Sequence, residues 1–413
     1  VRELLRHRDF RLLLAGQTCS MFGDWTLLLV FGIWAKTLTG SNAVAGLMIF
    51  AMAAPGLLGP VGGVLVDRLP RRSVMIILNL LSAAAVLSLW FVHDRRQLWL
   101  LVLVAVCYGL SSVVFNAAMA GLVQAMLPTG LVGPANGALA TVRQGLRLIG
   151  PLIGAGLFAA VGGRWVATVD AATFVLSTLA LLALRHREVR AARAAVAFRA
   201  ELLAGLDHLW RTPVLRRLAT STVVWAVAFG LTEAAVYALV SDGLHRPPEF
   251  VGVLVSAQGV GAVIGGIAVT AAIRRTPEPV LLIIGLALMT VGAGLCTVPA
   301  LPAAVAGFAV FGLGMPLLTV AAGTLLQRRT PNAIMGRVAS GYEVVSSVPY
   351  TAFIAVGALL VGVWPYQVII GLVAVGCAAA ALSLLAGRRD WTNPSADAPT
   401  TPEPAADVTT VSR

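Results

Sequence analysis

Long apolar runs broken by short clusters of arginine set the pattern of this chain. A helix needs about 20 mostly apolar residues to cross the hydrocarbon core of a bilayer. By that rule the runs predict spans near 12–35, 44–66, 73–92, 98–126, 135–160, 165–184, 217–240, 250–272, 279–298, 302–326, 338–362 and 365–386, twelve in all. Inside lipid every backbone N–H and C=O must be satisfied within the protein, and runs of this length do so as helices. The predicted fold class is an all-α membrane protein. An even number of spans returns both termini to one side.

Composition agrees. The 413 residues are 58% hydrophobic and only 12% charged, against about 25% charged in a soluble domain. The 42 glycines suit helices that pack closely in lipid. A formal charge of +12 would suit a nucleic-acid ligand, but the arginines sit between apolar runs. Alternate loops, the termini and the tail hold 23 of the basic residues, against 5 in the other loops. That bias places both termini in the cytoplasm of a plasma-membrane protein with many spans. Two more, Arg143 and Arg147, lie inside a span. The four cysteines are isolated in apolar runs, with no disulfide or metal pattern. No cleavable signal peptide is expected, because the first span is long and lacks a small-residue cleavage site.

The longest internal loop, 185–216, divides six spans from six. Phe198, Leu202, Leu206, Leu209 and Trp210 recur in it at helical spacing beside Arg and Glu. This predicts an amphipathic helix at the membrane surface. The expected units are an N-terminal six-helix bundle (1–184), the linker (185–216), a C-terminal bundle (217–387) and a tail (388–413). The tail is rich in Pro, Ala, Thr and Asp and reads as disordered.

One offset, 203 residues, superposes several landmarks without a gap. Gly62-Gly63 meets Gly265-Gly266, Arg71-Arg72 meets Arg274-Arg275, and Gly154 meets Gly357. A duplicated six-span unit with a pseudo-two-fold axis along the membrane normal is a transporter architecture. The loop between spans two and three sharpens this. Gly63, Asp67, Arg68, Arg71 and Arg72 resemble the G-x-x-x-D-[RK]-x-G-[RK]-[RK] loop of the major facilitator superfamily, with Pro70 where Gly is usual. Gly150, Pro151 and Gly154 resemble the Gly-Pro motif on span five of that superfamily's drug and proton antiporters. The plain alternative is a Pro kink and helix packing. Gly23-Asp24-Trp25 and Leu127-Pro128 to Asn136-Gly137 look like the branch holding bacterial macrolide-efflux proteins and the enterobactin exporter. The chain departs from the drug-exporter pattern in span four, where no Arg lies between Leu98 and Met126.

Four acids fall inside spans: Asp24, Asp170, Glu233 and Glu343. Intramembrane charge is costly and faces protein or a water-filled cavity. Asp170 is close to a span end and reads as solvated. Glu343 is one to two turns from an end and reads as part of a gate. Asp24 and Glu233 are deeper. Counted from their span starts, Asp24 and Arg147 both lie about 18 Å deep at 1.5 Å per residue. Arg143 is one turn away on the same face. This predicts an Asp24 pair with Arg147 or Arg143, either a proton-sensitive switch or a permanent structural ion pair. Glu233 and Tyr237 are four residues apart and share a face. A carboxylate beside a phenol suits a proton site, a cationic ligand or an interhelical bond. Trp25, Asn116, Gln144 and Gln258 are further cavity candidates.

The resemblance implies a secondary-active exporter, moving an apolar or amphipathic small molecule (a drug, macrolide or siderophore-like compound) outward against protons by alternating access. Its expected partners are that small molecule, protons and the lipid bilayer, with no nucleic acid, no cofactor and a monomeric state. An uptake carrier of the same fold and a non-transporting membrane sensor remain open. An ATPase is disfavoured by the lack of a Walker-type loop. A membrane enzyme is disfavoured because His7, His93, His186, His208 and His245 all fall at span ends or in loops. In the superfamily the loop between spans two and three is thought to latch the bundles together. Asp67→Asn should therefore lower transport while membrane insertion stays normal; vesicle flux from the inserted variant checks this, and wild-type flux contradicts it.

Overall fold

The structure, a computed structural model, describes residues 4–58, 69–185, 198–331 and 334–387. Gly63, Asp67 and Arg68, and the tail from 388, lie outside those residues. The described chain is helical, and no strand forms among its residues. In chain order the helices are α1 Arg8–Thr39, α2 Asn42–Ala53, α3 Arg71–Leu87, α4 Leu98–Met126, α5 Thr129–Val161, α6 Gly163–Leu182, α7 Phe198–Arg211, α8 Pro213–Ala238, α9 Val251–Ala272, α10 Glu278–Cys296, α11 Leu301–Arg329, α12 Met335–Leu360 and α13 Tyr366–Ala386. Eleven are long and apolar enough to cross a membrane. The twelfth predicted span is the shorter Asn42–Leu58 helix, α2 and its 3-10 extension, which ends where the description stops.

The helices form two six-helix bundles. In the first, α1 packs on α5 and α6, and α3 on α4 and α6. In the second, α11 packs on α9 and α10, and α8 on α12 and α13. The 203-residue offset is realised in three dimensions. It carries Leu98–Met126 onto Leu301–Arg329, residue for residue, and Gly163–Leu182 onto the greater part of Tyr366–Ala386. The amphipathic helix expected in the linker is α7, which lies against α12, with Gly205 on the Arg337 carbonyl.

The bundles meet along α5–α9, α2–α12 and α2–α8. Lipid tails are as apolar as leucine, so these seams rest on close packing of small residues rather than on burial from water. Gly252 faces Ala155, and Gly46 faces Ala234 and Ala358. These contacts lie toward the membrane face opposite the termini, called here the far face. Hydrogen bonds reinforce it. Asn42 donates to Asp242 at 3.2 Å, Ser241 donates to Asn42 at 3.2 Å, and Lys36 reaches Ser241 at 3.5 Å. The α1–α2 turn that presents Asn42 is set by Gly40 at φ 72°, whose N–H bonds the Lys36 carbonyl. A side chain at that left-handed position would be strained.

Arg71 and Arg72 have a definite structural task. Arg71 donates to the Gly121 carbonyl at 2.9 Å, and Arg72 to the Leu181 and Leu182 carbonyls, each at 2.9 Å. Those carbonyls lie in the C-terminal turns of α4 and α6, the end of each helix where the dipole is negative. Both arginines therefore tie α3 to backbone carbonyls of their own bundle.

Gly150 and Gly154 turn one face of α5 onto α1. A Cβ on Gly154 would run into the Thr26 carbonyl, and one on Gly150 into Trp25. Gly156 faces open space. Gly154→Ala should lower thermal stability in detergent by about 1–3 kcal/mol, the usual range for overpacking. Gly156→Ala is the control and should melt with wild type in the same assay.

Candidate functional site: a central cavity between the bundles

A cavity of about 420 Å³ opens between the bundles at mid-depth. Asp24 on α1, Tyr108 and Asn116 on α4, Arg143 and Arg147 on α5, and Glu233 on α8 all line it. The exposed groups Asn116 and Arg143 lie in the halves of α4 and α5 nearer the chain termini, so the cavity is reached from that face. Its apolar wall includes Trp25, Phe115 and Phe174. A smaller pocket of about 80 Å³ adjoins within the second bundle, between Phe229, Gln258 and Phe311. Glu233 lines both.

Each deep acid has a phenol. Tyr108 donates to Asp24, crossing from α4 to α1. Its ring is held edge-on by Phe31 and Phe174, at 6.3 and 5.9 Å between centroids. Tyr350 on α12 donates to Glu233 at 2.8 Å. Its ring stacks on Phe229 at 5.5 Å, and Phe229 stacks on Trp225 and Phe311. A phenol offers one donor to an ionised carboxylate and can accept from a protonated one. Both arrangements therefore serve either protonation state without moving a helix.

This differs from the sequence expectation in three places. Asp24 forms no ion pair with Arg143 or Arg147; equal depth on two helices says nothing about the direction each side chain takes around its axis. Arg147 instead lies 5.7 Å over the Trp25 ring and within electrostatic reach of Glu233. The phenol on Glu233 is Tyr350, from a neighbouring helix, and not Tyr237. Tyr237 is buried against Gly32 at the seam between bundles, and its hydroxyl has no partner among the described residues. Asp170 is not solvated. It is fully buried on α6, with its carboxylate against Gly23 and Thr173, and one oxygen finds no donor among the described residues. It stands within electrostatic reach of Asp24, so two acids that the sequence reading placed apart are neighbours in the first bundle.

The other candidates scatter. Glu343 is exposed on α12 and accepts from Ser347 on the same helix at 3.0 Å; it does not line the cavity. Gln258 lines the smaller pocket and approaches the Met315 sulfur at 3.2 Å. Gln144 is exposed on α5 but is not part of the cavity wall, which its neighbours Arg143 and Arg147 form. Gly150, Pro151 and Gly154 shape the wall from behind by holding α5 close to α1 and α9. Sequence reasoning missed Tyr108 and Tyr350. Only five tyrosines occur in the chain, and a phenol in mid-span was the available signal.

A cavity between two repeated six-helix bundles, walled at mid-depth by charges from both, is the geometry of a carrier. The sequence model of the Major Facilitator Superfamily matches residues 13–241 and 233–412. The chain belongs to that superfamily. It is a transporter and not an enzyme. Among curated relatives, the multidrug efflux pump Tap of Mycolicibacterium fortuitum is 29% identical over 336 residues, 76% of this chain and 78% of Tap. The uncharacterized MFS-type transporter YfiS of Bacillus subtilis (strain 168) is 28% identical over 257 residues, which span 60% of each protein. A solved bacterial homologue of the iron transporter ferroportin, in an inward-facing state, superposes with TM-score 0.72 at 14% identity, covering 94% of this chain and 99% of that one. A bacterial homologue of the lysosomal transporter Spinster gives 0.67 at 13%, covering 94% and 99%. These two likenesses carry the fold alone.

The far-face contacts must break if the cavity is to open there. Cysteines at positions 42 and 241, in a variant lacking the four native ones, should permit a short cross-link. Flux should stop on cross-linking and return on reduction of the linker; undiminished flux in fully cross-linked protein contradicts the role.

Proposed function

We propose that this superfamily member exports an amphipathic small molecule from the cytoplasm in exchange for protons, by alternating access. The observation that carries the reading is the pair of carboxylate–phenol contacts, Asp24–Tyr108 and Glu233–Tyr350, one from each bundle and both on one cavity. A carboxylate that loses its proton to one side and regains it from the other needs access to an aqueous cavity and a partner suited to both states. Each pair has both. The arginine bias puts the termini, and so the open mouth, on the cytoplasmic side. Cargo then enters from within, and the far-face bonds at Asn42, Ser241 and Asp242 open to release it. The mixture of aromatic wall and charged groups suits amphipathic cargo. The resemblance to the efflux pump Tap supports the outward direction.

Inverted membrane vesicles energised to an acidic interior test this. Addition of an amphipathic dye should release protons from the vesicles as cargo enters. Asp24→Asn and Glu233→Gln should each abolish the proton release while the protein still reaches the membrane. A flat pH signal across a panel of dyes sinks the proposal.

A further inference from the structure

Resting on that exporter reading, the cavity's charge layout specifies its cargo further. Arg143 and Arg147 stand one turn apart on α5, and both are exposed and line the cavity. Arg147 is laid over Trp25 at 5.7 Å. No ion pair or hydrogen bond between described residues engages either guanidinium. Both carboxylates of the cavity, by contrast, already accept from a tyrosine. A guanidinium keeps its charge at any physiological pH and offers up to five N–H donors in a planar fork that matches a carboxylate. The cavity therefore offers unused donors on its two guanidiniums and, because an ionised carboxylate has about four acceptor sites, unused acceptor capacity on Asp24 and Glu233.

The layout also excludes two simpler cargoes. A purely cationic molecule would face two fixed positive charges on the cavity wall, with no group of its own to meet them. A purely anionic one would bind best with Asp24 and Glu233 neutralised, so it would travel with protons and not against them. Two guanidiniums and two carboxylates balance in number but are set apart, the first pair on α5 and the acids on α1 and α8. The complement of separated charges is a molecule with separated charges.

We infer that the cargo is an amphipathic zwitterion: an acidic group seats on Arg143 and Arg147, its aromatic body lies along Trp25 and Phe115, and its ammonium meets Asp24 or Glu233. An ammonium at a carboxylate excludes the proton, which supplies the exchange. The acidic group on the arginines fixes orientation and separates this cargo from plain lipophilic cations.

The test uses the full chain in lipid nanodiscs and calorimetric titration with three probes: a fluoroquinolone bearing a ring carboxylate and a piperazine ammonium, its methyl ester, and its N-acetyl derivative. The parent should bind most tightly. The ester, which loses the charge-assisted bonds, should bind about tenfold more weakly. In the Arg143→Gln/Arg147→Gln variant the parent should fall to the level of the ester, while the ester is unchanged. Equal affinity for parent and ester in the unmodified protein overturns the inference, even if the variant fails to insert. So does a variant that weakens both probes alike. Equal affinity together with dye-driven proton release removes the zwitterion and leaves the exporter. A flat pH signal with no binding of any probe removes both.

Discussion

A carboxylate at the centre of a membrane costs about 2.5–3.5 kcal/mol to insert and must find polar company inside the protein. The interior of this transporter is arranged around that requirement. Asp24 and Glu233 sit on the first helix of each bundle, and each is met by a phenol from a helix later in the same bundle. Those phenols are themselves fixed by aromatic neighbours, Phe31 and Phe174 in one bundle and Phe229 in the other. The acids are thus tied into the packing of the bundles.

The scaffold is duplicated, but the chemistry is not. The 203-residue offset superposes α4 on α11 and α6 closely on α13. Yet it carries Asp24 onto Val227, Tyr108 onto Phe311, and Arg147 onto Tyr350. Where the first bundle presents a guanidinium to the cavity, the second presents the phenol that holds Glu233. Symmetry supplies two bundles that share a seam; the broken symmetry supplies a cavity with a distinct cationic wall. Asp170 adds to the imbalance, because its repeat position is Val373.

The spans, the repeat and the linker helix were legible because each depends on length or periodicity, which a linear pattern contains. Leu98–Met126 is a helix because its run is apolar and flanked by polar residues. The partners were less legible because they depend on rotation about helix axes and on which helices touch. Asp24 and Arg147 share a depth but not a direction. Glu233 and Tyr237 share a face of α8, yet the bond goes to Tyr350, 117 residues away, because α12 brings that phenol across. Asp170 was misplaced for a different reason. Distance along the chain from a span end measures depth, and depth near an interface does not imply solvent when Gly23 lets a neighbouring helix cover the group.

The glycines connect these two levels. Gly23 makes room for Asp170, Gly150 and Gly154 bring α5 onto α1, and Gly252 brings α9 onto α5. The same stretch of α5 therefore touches the acid-bearing helix on one side and the opposite bundle on the other, while its next turns carry Arg147 and Arg143 into the cavity. Any shift of α5 against α9 would move the guanidiniums relative to Glu233, because all of them stand on one cavity. Electrostatic energy between unit charges varies inversely with distance and grows where water is excluded. α5 is therefore the element that links the packing of the seam to the electrostatics of the cavity.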